Sequence, residues 1–175
     1  MKKINLNEEE YKFSRDDMPI LIHGEDHAGA SFYTLSLIAN LSLEGQKVLV
    51  LCGYPMAQEQ FEKQVEGFGH STVFYTKEGE QDFLHALAST NDNDIILIKN
   101  IELFDGSIIE PVLNKKNFII SGDLGKCVYK DKILEKSLNT KIFFSGIPGI
   151  EIPPLQRFEG FFMSKKAQGV TKIEL

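Results

Sequence analysis

The sequence lacks the features that mark disulfide-bonded, zinc-binding and membrane-spanning proteins. Its two cysteines, Cys52 and Cys127, form neither a C-x-x-C pair nor another metal-ligand spacing, so we expect reduced, partly buried thiols. No stretch approaches the roughly 18 to 20 apolar residues of a membrane span. The charged residues 1–10 lack the apolar segment of a signal peptide. We therefore expect a cytoplasmic protein with no membrane partner.

The chain also has fewer basic than acidic residues. The chain has 19 lysines and arginines against 25 aspartates and glutamates, a net charge of -6. Because nucleic-acid binding generally relies on a basic surface, direct binding of nucleic acid is not expected. With 175 residues, 42% of them hydrophobic, the chain has enough apolar material for one independently folding domain. We assign the polar residues 1–17 to a lead-in and residues 18–175 to that single domain.

The stretch that organises the chain is residues 18–31, Met-Pro-Ile-Leu-Ile-His-Gly-Glu-Asp-His-Ala-Gly-Ala-Ser. Its apolar run predicts a strand that ends in a glycine-bounded loop. Gly24, Gly29 and Ser31 keep the spacing of the phosphate-binding loop G-x-x-x-x-G-K-[S/T]. In that loop, backbone N–H groups surround phosphates, the lysine reaches the β/γ-phosphates and the hydroxyl holds magnesium. The lysine position is occupied here by Ala30, so the loop is degenerate at its charged residue.

The flanking sequence resembles the RecA/KaiC-like branch of the phosphate-loop NTPases. Apolar residues recur at helical spacing between Phe32 and Leu43, and residues 44–49, Glu-Gly-Gln-Lys-Val-Leu, match that family's entry into its second strand. The resemblance implies an α/β fold with a doubly wound, mostly parallel, RecA-like sheet, and the C-terminal sequence predicts an added β-hairpin. Further continuous apolar runs are typical of parallel strands covered on both faces. These runs are residues 95–98, 117–122 and 141–145.

Three positions bear on whether such a fold hydrolyses ATP. Ala30 lacks the charge of the lysine that it replaces. Lys99 stands where the resemblance implies an aspartate that holds magnesium. The resemblance also implies a catalytic glutamate after the second strand, but that segment has no acid before Glu59. A cation opposes magnesium binding, and losing even one preorganised electrostatic contact typically slows a reaction ~10²- to 10³-fold. We therefore predict no catalytic residues and no cofactor. The predicted function is that of a pseudo-ATPase that acts by association or regulation, with a second copy or an active RecA-like ATPase as its partner.

A divergent ATP-binding ATPase is the alternative. Lys99, at the carboxyl end of a strand expected beside the first strand, would then replace the missing lysine and bind ATP. In the opposing interpretation Lys99 forms a salt bridge with Asp123 or is solvated. The nucleotide-binding remnant comprises Gly24, Gly29, Ala30, Ser31, Lys99 and Asp123.

Other polar residues of the loop have simpler interpretations. Two histidines and two acids stand together as His23, Glu25, Asp26 and His27, but we expect them to be solvated rather than to bind a metal. Ser31 is expected to cap the following helix, because no G-x-S-x-G elbow surrounds it as a nucleophile would require.

The aromatic C-terminal segment allows two interpretations. Its apolar side chains either form a partner surface or pack as a core strand, and we favour the core. The residues concerned are Phe158, Phe161, Phe162 and Met163.

Overall fold

The computed structural model describes residues 4–6, 9–11, 13–25, 30–40, 47–54, 59, 63, 71–157, 159–165 and 167–172. Within these residues the strands are β1 (Ile4–Leu6), β2 (Glu9–Tyr11), β3 (Ile20–His23), β4 (Lys47–Cys52), β5 (Ser71–Thr76), β6 (Ile95–Lys99), β7 (Phe118–Gly122), β8 (Thr140–Phe143), β9 (Glu159–Ser164) and β10 (Gln168–Lys172). The helices are α1 (Ala30–Asn40), α2 (Glu80–Ala88), α3 (Gly106–Leu113) and α4 (Lys130–Glu135). Short 3-10 turns lie at Arg15–Asp17, Lys77–Gly79, Ile101–Leu103 and Leu124–Lys126.

Strands β3 to β10 form one sheet, in the order β10-β9-β8-β3-β7-β6-β4-β5. The pairs from β8 across to β5 are all parallel, whereas β9 pairs antiparallel with both β8 and β10. The predicted α/β class and mostly parallel sheet are therefore confirmed. Strands β1 and β2 form a separate antiparallel pair.

Alternate residues of the central strands face two separate apolar layers, because successive strand side chains point to opposite faces. On one face Ile20 and Ile22 of β3 pack in one cluster with Tyr33 and Leu37 of α1. On the other face Leu21 belongs to a cluster that α2, α3 and α4 complete. Helices thus cover both faces of the sheet, which explains why its strands are continuous apolar runs rather than alternating ones.

The local sequence sets the starts and apolar faces of these helices. Asp105 precedes α3, and its side chain accepts a hydrogen bond from the Ser107 backbone N–H, a typical N-cap. In α2, Phe83 and Leu87 stand four residues apart and are both buried, so they form one inward stripe.

Residues of the lead-in pack onto the domain. The Tyr11 ring lies 4.8 Å from the Phe162 ring, and the Phe13 ring lies 5.8 Å from it. The Tyr11 hydroxyl donates to the buried Asp17 carboxylate, which also accepts the Ser14 backbone N–H. Burial, with Asp17 alongside, raises the pKa of Tyr11 to about 12. This segment therefore covers part of the aromatic core.

The C-terminal aromatic residues are core residues where the structure describes them. Phe162 is fully buried, Phe161 is 6% exposed and Met163 is half-buried, while Phe158 lies outside the described residues. Of the two interpretations, core packing is thus confirmed for Phe161 and Phe162. Both cysteines are buried free thiols, as expected.

Candidate functional site

The carboxyl ends of the parallel strands form the edge at which open α/β sheets bind ligands. Backbone hydrogen bonds close the strand ends there: the Gly24 N–H donates to the Gly122 carbonyl at 3.2 Å, and the Gly53 N–H donates to the Lys99 carbonyl at 3.1 Å. The residues that end or follow β3, β4, β6, β7 and β8 therefore share one edge. They are Gly24, Gly53, Asn100, Gly122 and Gly146.

The 3-10 turn after β6 packs tightly against this edge. Gly122 has a φ of 146°, and a Cβ atom there would lie 2.4 Å from Glu102 Oε2 and 2.7 Å from the Ile101 backbone N. A Cβ atom on Gly53 would lie 2.6 Å from Leu103 Cδ1. Both glycines are therefore required by the close approach of the turn, whatever ligand the edge binds.

Strand β7 lies between β3 and β6, so the expectation that Lys99 stands beside the first strand is wrong. The Cα partners of Lys99 are Cys52 on β4 and Ser121 on β7. An intervening strand changes which groups Lys99 can reach. Its nearest strand neighbours are a thiol and a hydroxyl.

Lys99 is 3% exposed, an unusual position for an ammonium group. Burial lowers its pKa, and this effect is opposed by Cys52 and Glu102 nearby. Within the described part of the chain, no hydrogen bond or ion pair holds its ammonium group. Lys99 is therefore not neutralised by a described carboxylate.

The expected salt bridge between Lys99 and Asp123 is not present among the described residues. Asp123 instead lies 3.2 Å from the Lys126 ammonium group. Its side chain also accepts the Gly125 backbone N–H at 3.0 Å, as the cap of the following 3-10 turn. Local geometry explains this choice, since Lys126 is three residues away on the same turn.

Glu102 is also engaged in local structure. Its Oε2 accepts the Asp123 backbone N–H at 2.9 Å. This bond ties the turn after β6 to the end of β7. The two acids nearest the end of the strands thus both stabilise the backbone at the edge.

His23 occupies the end of β3 and is fully buried. Its Nδ1 accepts the Leu124 backbone N–H at 2.9 Å, and its Nε2 lies 3.1 Å from Ser145 Oγ. An acceptor Nδ1 in a neutral ring places the proton on Nε2, which then donates to Ser145. Burial lowers the pKa of His23, which favours the neutral ring. His23 in this state cannot accept a proton from Ser145, so the pair is not a nucleophile and its base.

The predicted solvation of His23 is therefore wrong. Both of its ring nitrogens have protein partners, which leaves no free nitrogen for a metal. Ser145 Oγ also accepts the Glu25 backbone N–H at 3.0 Å, so this network fixes the start of the loop against β8. Glu25 itself is exposed, and Asp26 and His27 lie outside the described residues.

Helix α1 starts at Ala30, which is buried. Ser31 is exposed and lies one residue inside the helix, so the structure does not place it at the cap position; Gly29 lies outside the described residues. Thr34, which the sequence analysis did not select, joins the helix to the sheet. Its Oγ1 donates to the Ala30 carbonyl at 2.7 Å and lies 2.6 Å from Ser121 Oγ.

Comparisons with known proteins give a structural likeness but no sequence match. No protein-family model matches the sequence, and no curated protein matches it. A solved structure described as EssC (ATPases 2 and 3) from Geobacillus thermodenitrificans is similar with a TM-score of 0.59 at 12% sequence identity. The match covers 95% of this chain and 41% of that one. It supports a P-loop NTPase-like fold.

That likeness concerns the fold alone, because 12% identity is too low to transfer residues or activity. Chemistry has to be argued from the carboxyl edge. There Gly24, Ala30 and the buried Lys99 lie at one edge of the sheet. Asp123 instead pairs with Lys126 within its own turn. Among the described residues, no helix has the length and apolar character of a membrane span.

The burial of His23 and the role of Thr34 were missed for different reasons. His23 directly continues the apolar run of β3, a strand that is buried on both faces, so its burial could have been predicted. Thr34 gave no such signal. Its contact with Ser121 joins residues 87 positions apart and depends on how α1 lies across β7.

Proposed function

We propose that this protein is a non-hydrolysing P-loop NTPase-like domain, a pseudo-ATPase of RecA-like architecture that acts by protein association. One observation carries the proposal. The residue that ends β6, where the resemblance implies a magnesium-holding aspartate, is the buried Lys99. A cation in this position repels magnesium, and without the metal the charge of the β/γ-phosphates is not neutralised.

The state of the nearby acids supports the same conclusion. Asp123 is paired with Lys126, and Glu102 accepts the Asp123 backbone N–H. Recruiting either carboxylate to hold magnesium would break a bond that keeps the edge in place. Ala30 adds no positive charge at the helix start. The edge thus lacks a lysine at position 30, and neither Glu102 nor Asp123 is available to hold magnesium.

A surface for association lies at the same edge. Among the described residues, the large hydrophobic side chains with the greatest exposure are Tyr54, at 53%, and Val128, at 90%. Tyr54 follows β4, and Val128 follows the turn after β7. Exposed apolar side chains are common singly, and these two are the candidate contact residues of the proposed surface. The partner is a second copy of the chain or an active RecA-like ATPase.

Nucleotide hydrolysis tests the first half of the proposal. The wild-type protein should release no phosphate above background from ATP with magnesium, and calorimetry should show no magnesium-dependent binding in the micromolar range. Lys99→Asp, which restores an acid at the end of β6, is the informative comparison. Hydrolysis of ATP by the wild type would contradict the proposal, and its loss in Lys99→Asp would show that the activity depends on Lys99.

Association is tested by light scattering at micromolar concentration and by pull-down with the full chain as bait. The wild type should form a stable oligomer or retain an ATPase. Val128→Asp should weaken that complex, because an unpaired charge is costly to desolvate. Ser89→Asp, an exposed position after α2, is the matched control and should leave the complex intact. A monomer that retains no partner would contradict this half.

The alternative function is a divergent ATPase in which Lys99 replaces the missing lysine. One observation favours it: within the described residues the Lys99 ammonium has no ion pair, so its charge is available. This alternative predicts magnesium-dependent ATP hydrolysis that Lys99→Met abolishes. Because the proposed pseudo-ATPase shows no hydrolysis to abolish, one assay separates the two functions.

A further inference from the structure

The connection between β8 and β9 is long for two antiparallel neighbours. The two strands pair directly, and such neighbours are generally joined by roughly two to five residues. Residues 144–158 join them here. Long connections without a helix or strand of their own are usually functional or disordered, and the described part of this one is anchored to the domain.

Both ends of the connection are fixed. Ile147 is 3% exposed and packs in the apolar cluster of α2, α3 and α4, and the Ile150 backbone N–H donates to its carbonyl at 3.0 Å. At the other end the Gln156 N–H donates to Glu159 Oε2 at 2.8 Å, and the Glu159 N–H donates to the Gln156 carbonyl at 3.0 Å. Residues 151–155 are therefore held between two fixed points.

Residues 151–156 belong to no helix, strand or turn, and two successive prolines restrict their backbone. Pro153 and Pro154 fix their own φ near about −65°, and each disfavours the helical region for the residue before it. Ile152 and Leu155 pack against the apolar cluster. Between them, both prolines are exposed. Since a polyproline II helix has about three residues per turn, this burial pattern is that of a short polyproline II segment whose prolines face outward.

Such a segment is suited to bind against aromatic rings. Proline has no backbone N–H, so covering Pro153 and Pro154 leaves fewer donors without a hydrogen-bond partner. The restricted backbone and the fixed ends also lower the conformational entropy that is lost on binding. Grooves lined by aromatic side chains bind polyproline II segments in this way.

We infer that residues 152–155 form a docking segment for a protein domain whose groove is lined by aromatic side chains. The two proline rings enter the groove, while the two flanking apolar side chains keep the segment on the domain. This inference goes beyond the proposed function and does not depend on it, because it uses neither Lys99 nor the contact residues Tyr54 and Val128.

Fluorescence titration with purified WW domains is the direct test, because these domains carry such a groove. The chain contains no tryptophan, so tryptophan fluorescence reports the WW domain alone. Three WW domains of different specificity are the probes, and at least one should bind the full chain. The double variant Pro153→Ala, Pro154→Ala should weaken that binding at least about tenfold, since it loses both rings and the restricted backbone.

Pro148→Ala is the matched control. Pro148 is an exposed proline of the same connection, but it lies in the turn closed by the Ile150 N–H rather than in the extended segment. The control should bind like the wild type. Val128→Asp should also bind like the wild type, because Val128 belongs to the surface proposed for association.

The outcomes separate this inference from the proposed function. No binding by any of the three domains, or equal binding by the wild type and the double variant, would overturn the docking segment and leave the association function standing. Weakened binding by Pro148→Ala or Val128→Asp would place the contact elsewhere and would also overturn it. Should the double variant not fold, Pro153→Ala and Pro154→Ala are titrated singly, and each must weaken binding, or the inference is wrong.

Discussion

His23, at the end of β3, is a titratable side chain whose two ring nitrogens are hydrogen-bonded to Leu124 and Ser145. Its pKa in the folded protein lies below the ordinary 6.5 because burial disfavours the charged ring. As the pH falls through 6.5, the unfolded chain gains a proton that the folded protein does not yet accept. Stability should therefore fall as the pH decreases below about 6.5, and be fully present above that pH.

Urea unfolding at several pH values measures this effect. His23→Asn keeps a side-chain acceptor for the Leu124 N–H but cannot titrate, so its unfolding free energy should depend less on pH between about 5 and 7. His85→Asn, at an exposed position on α2, is the control and should follow the wild type. Identical slopes for the wild type and His23→Asn would show that His23 does not carry the pH dependence.

Gly122 provides a second prediction at the scale of one residue. Its φ of 146° and the 2.4 Å approach of Glu102 Oε2 to an added Cβ make any side chain unfavourable. Gly122→Ala should destabilise the fold by about 2–4 kcal/mol, from backbone strain and the displaced turn. At Gly79 an added Cβ would meet nothing closer than 3.8 Å, so Gly79→Ala should cost far less. Thermal unfolding of both variants makes the comparison, and equal losses would contradict it.

Single residues also show the limits of prediction from sequence. The chemical identity of Lys99 at the end of its strand followed directly from the run 95–98, whereas its burial did not. Burial depends on Cys52 and Ser121, which belong to other strands. The same holds for Asp123, whose partner is set by a turn geometry that spacing alone does not reveal.

At the scale of elements, strands were easier to predict than their order. The runs that became β3, β4, β6, β7 and β8 were all visible, because a strand buried on both faces is apolar along its whole length. The insertion of β7 between β3 and β6 was not predicted. Strand order depends on contacts between segments that are distant in sequence, and the apolar pattern within one segment does not predict those contacts.

Phe162 gives the prediction that belongs to β9. It is fully buried and contacts the rings of Tyr11 and Phe13. Phe162→Asp should destabilise the fold by about 3–5 kcal/mol or more, because a large cavity and an unpaired charge arise together. Lys165→Asp, in the exposed turn after β9, is the control. A Phe162→Asp protein with wild-type melting temperature and lost association would instead make this strand an interface.

At the scale of the whole molecule, several side chains at the carboxyl edge bind the backbone of neighbouring segments. The edge is held by backbone N–H groups that donate to the side chains of Glu102, His23 and Ser145. Such bonds suit a surface whose shape is recognised by another protein, which is why association is the function proposed here.

Residues 1–17, which the sequence analysis assigned to a lead-in separate from the domain, contact the domain core. Tyr11 and Phe13 pack on Phe162, Phe13 also lies 6.4 Å from the Tyr33 ring on α1, and Asp17 is 2% exposed. Removing residues 1–17 should therefore lower the unfolding free energy by about 2–4 kcal/mol, from lost burial and aromatic contacts.

Urea unfolding of the shortened chain and of the double variant Tyr11→Ala, Phe13→Ala distinguishes packing from length. If the aromatic contacts are the cause, the double variant should reproduce most of the loss although the segment is still present. Unchanged stability after removal would establish the lead-in as a separate unit. A loss confined to the shortened chain would assign the effect to the other contacts of the segment, such as the Asp17 bond to the Ser14 backbone and the Arg15 bond to Asn93, because the double variant retains them.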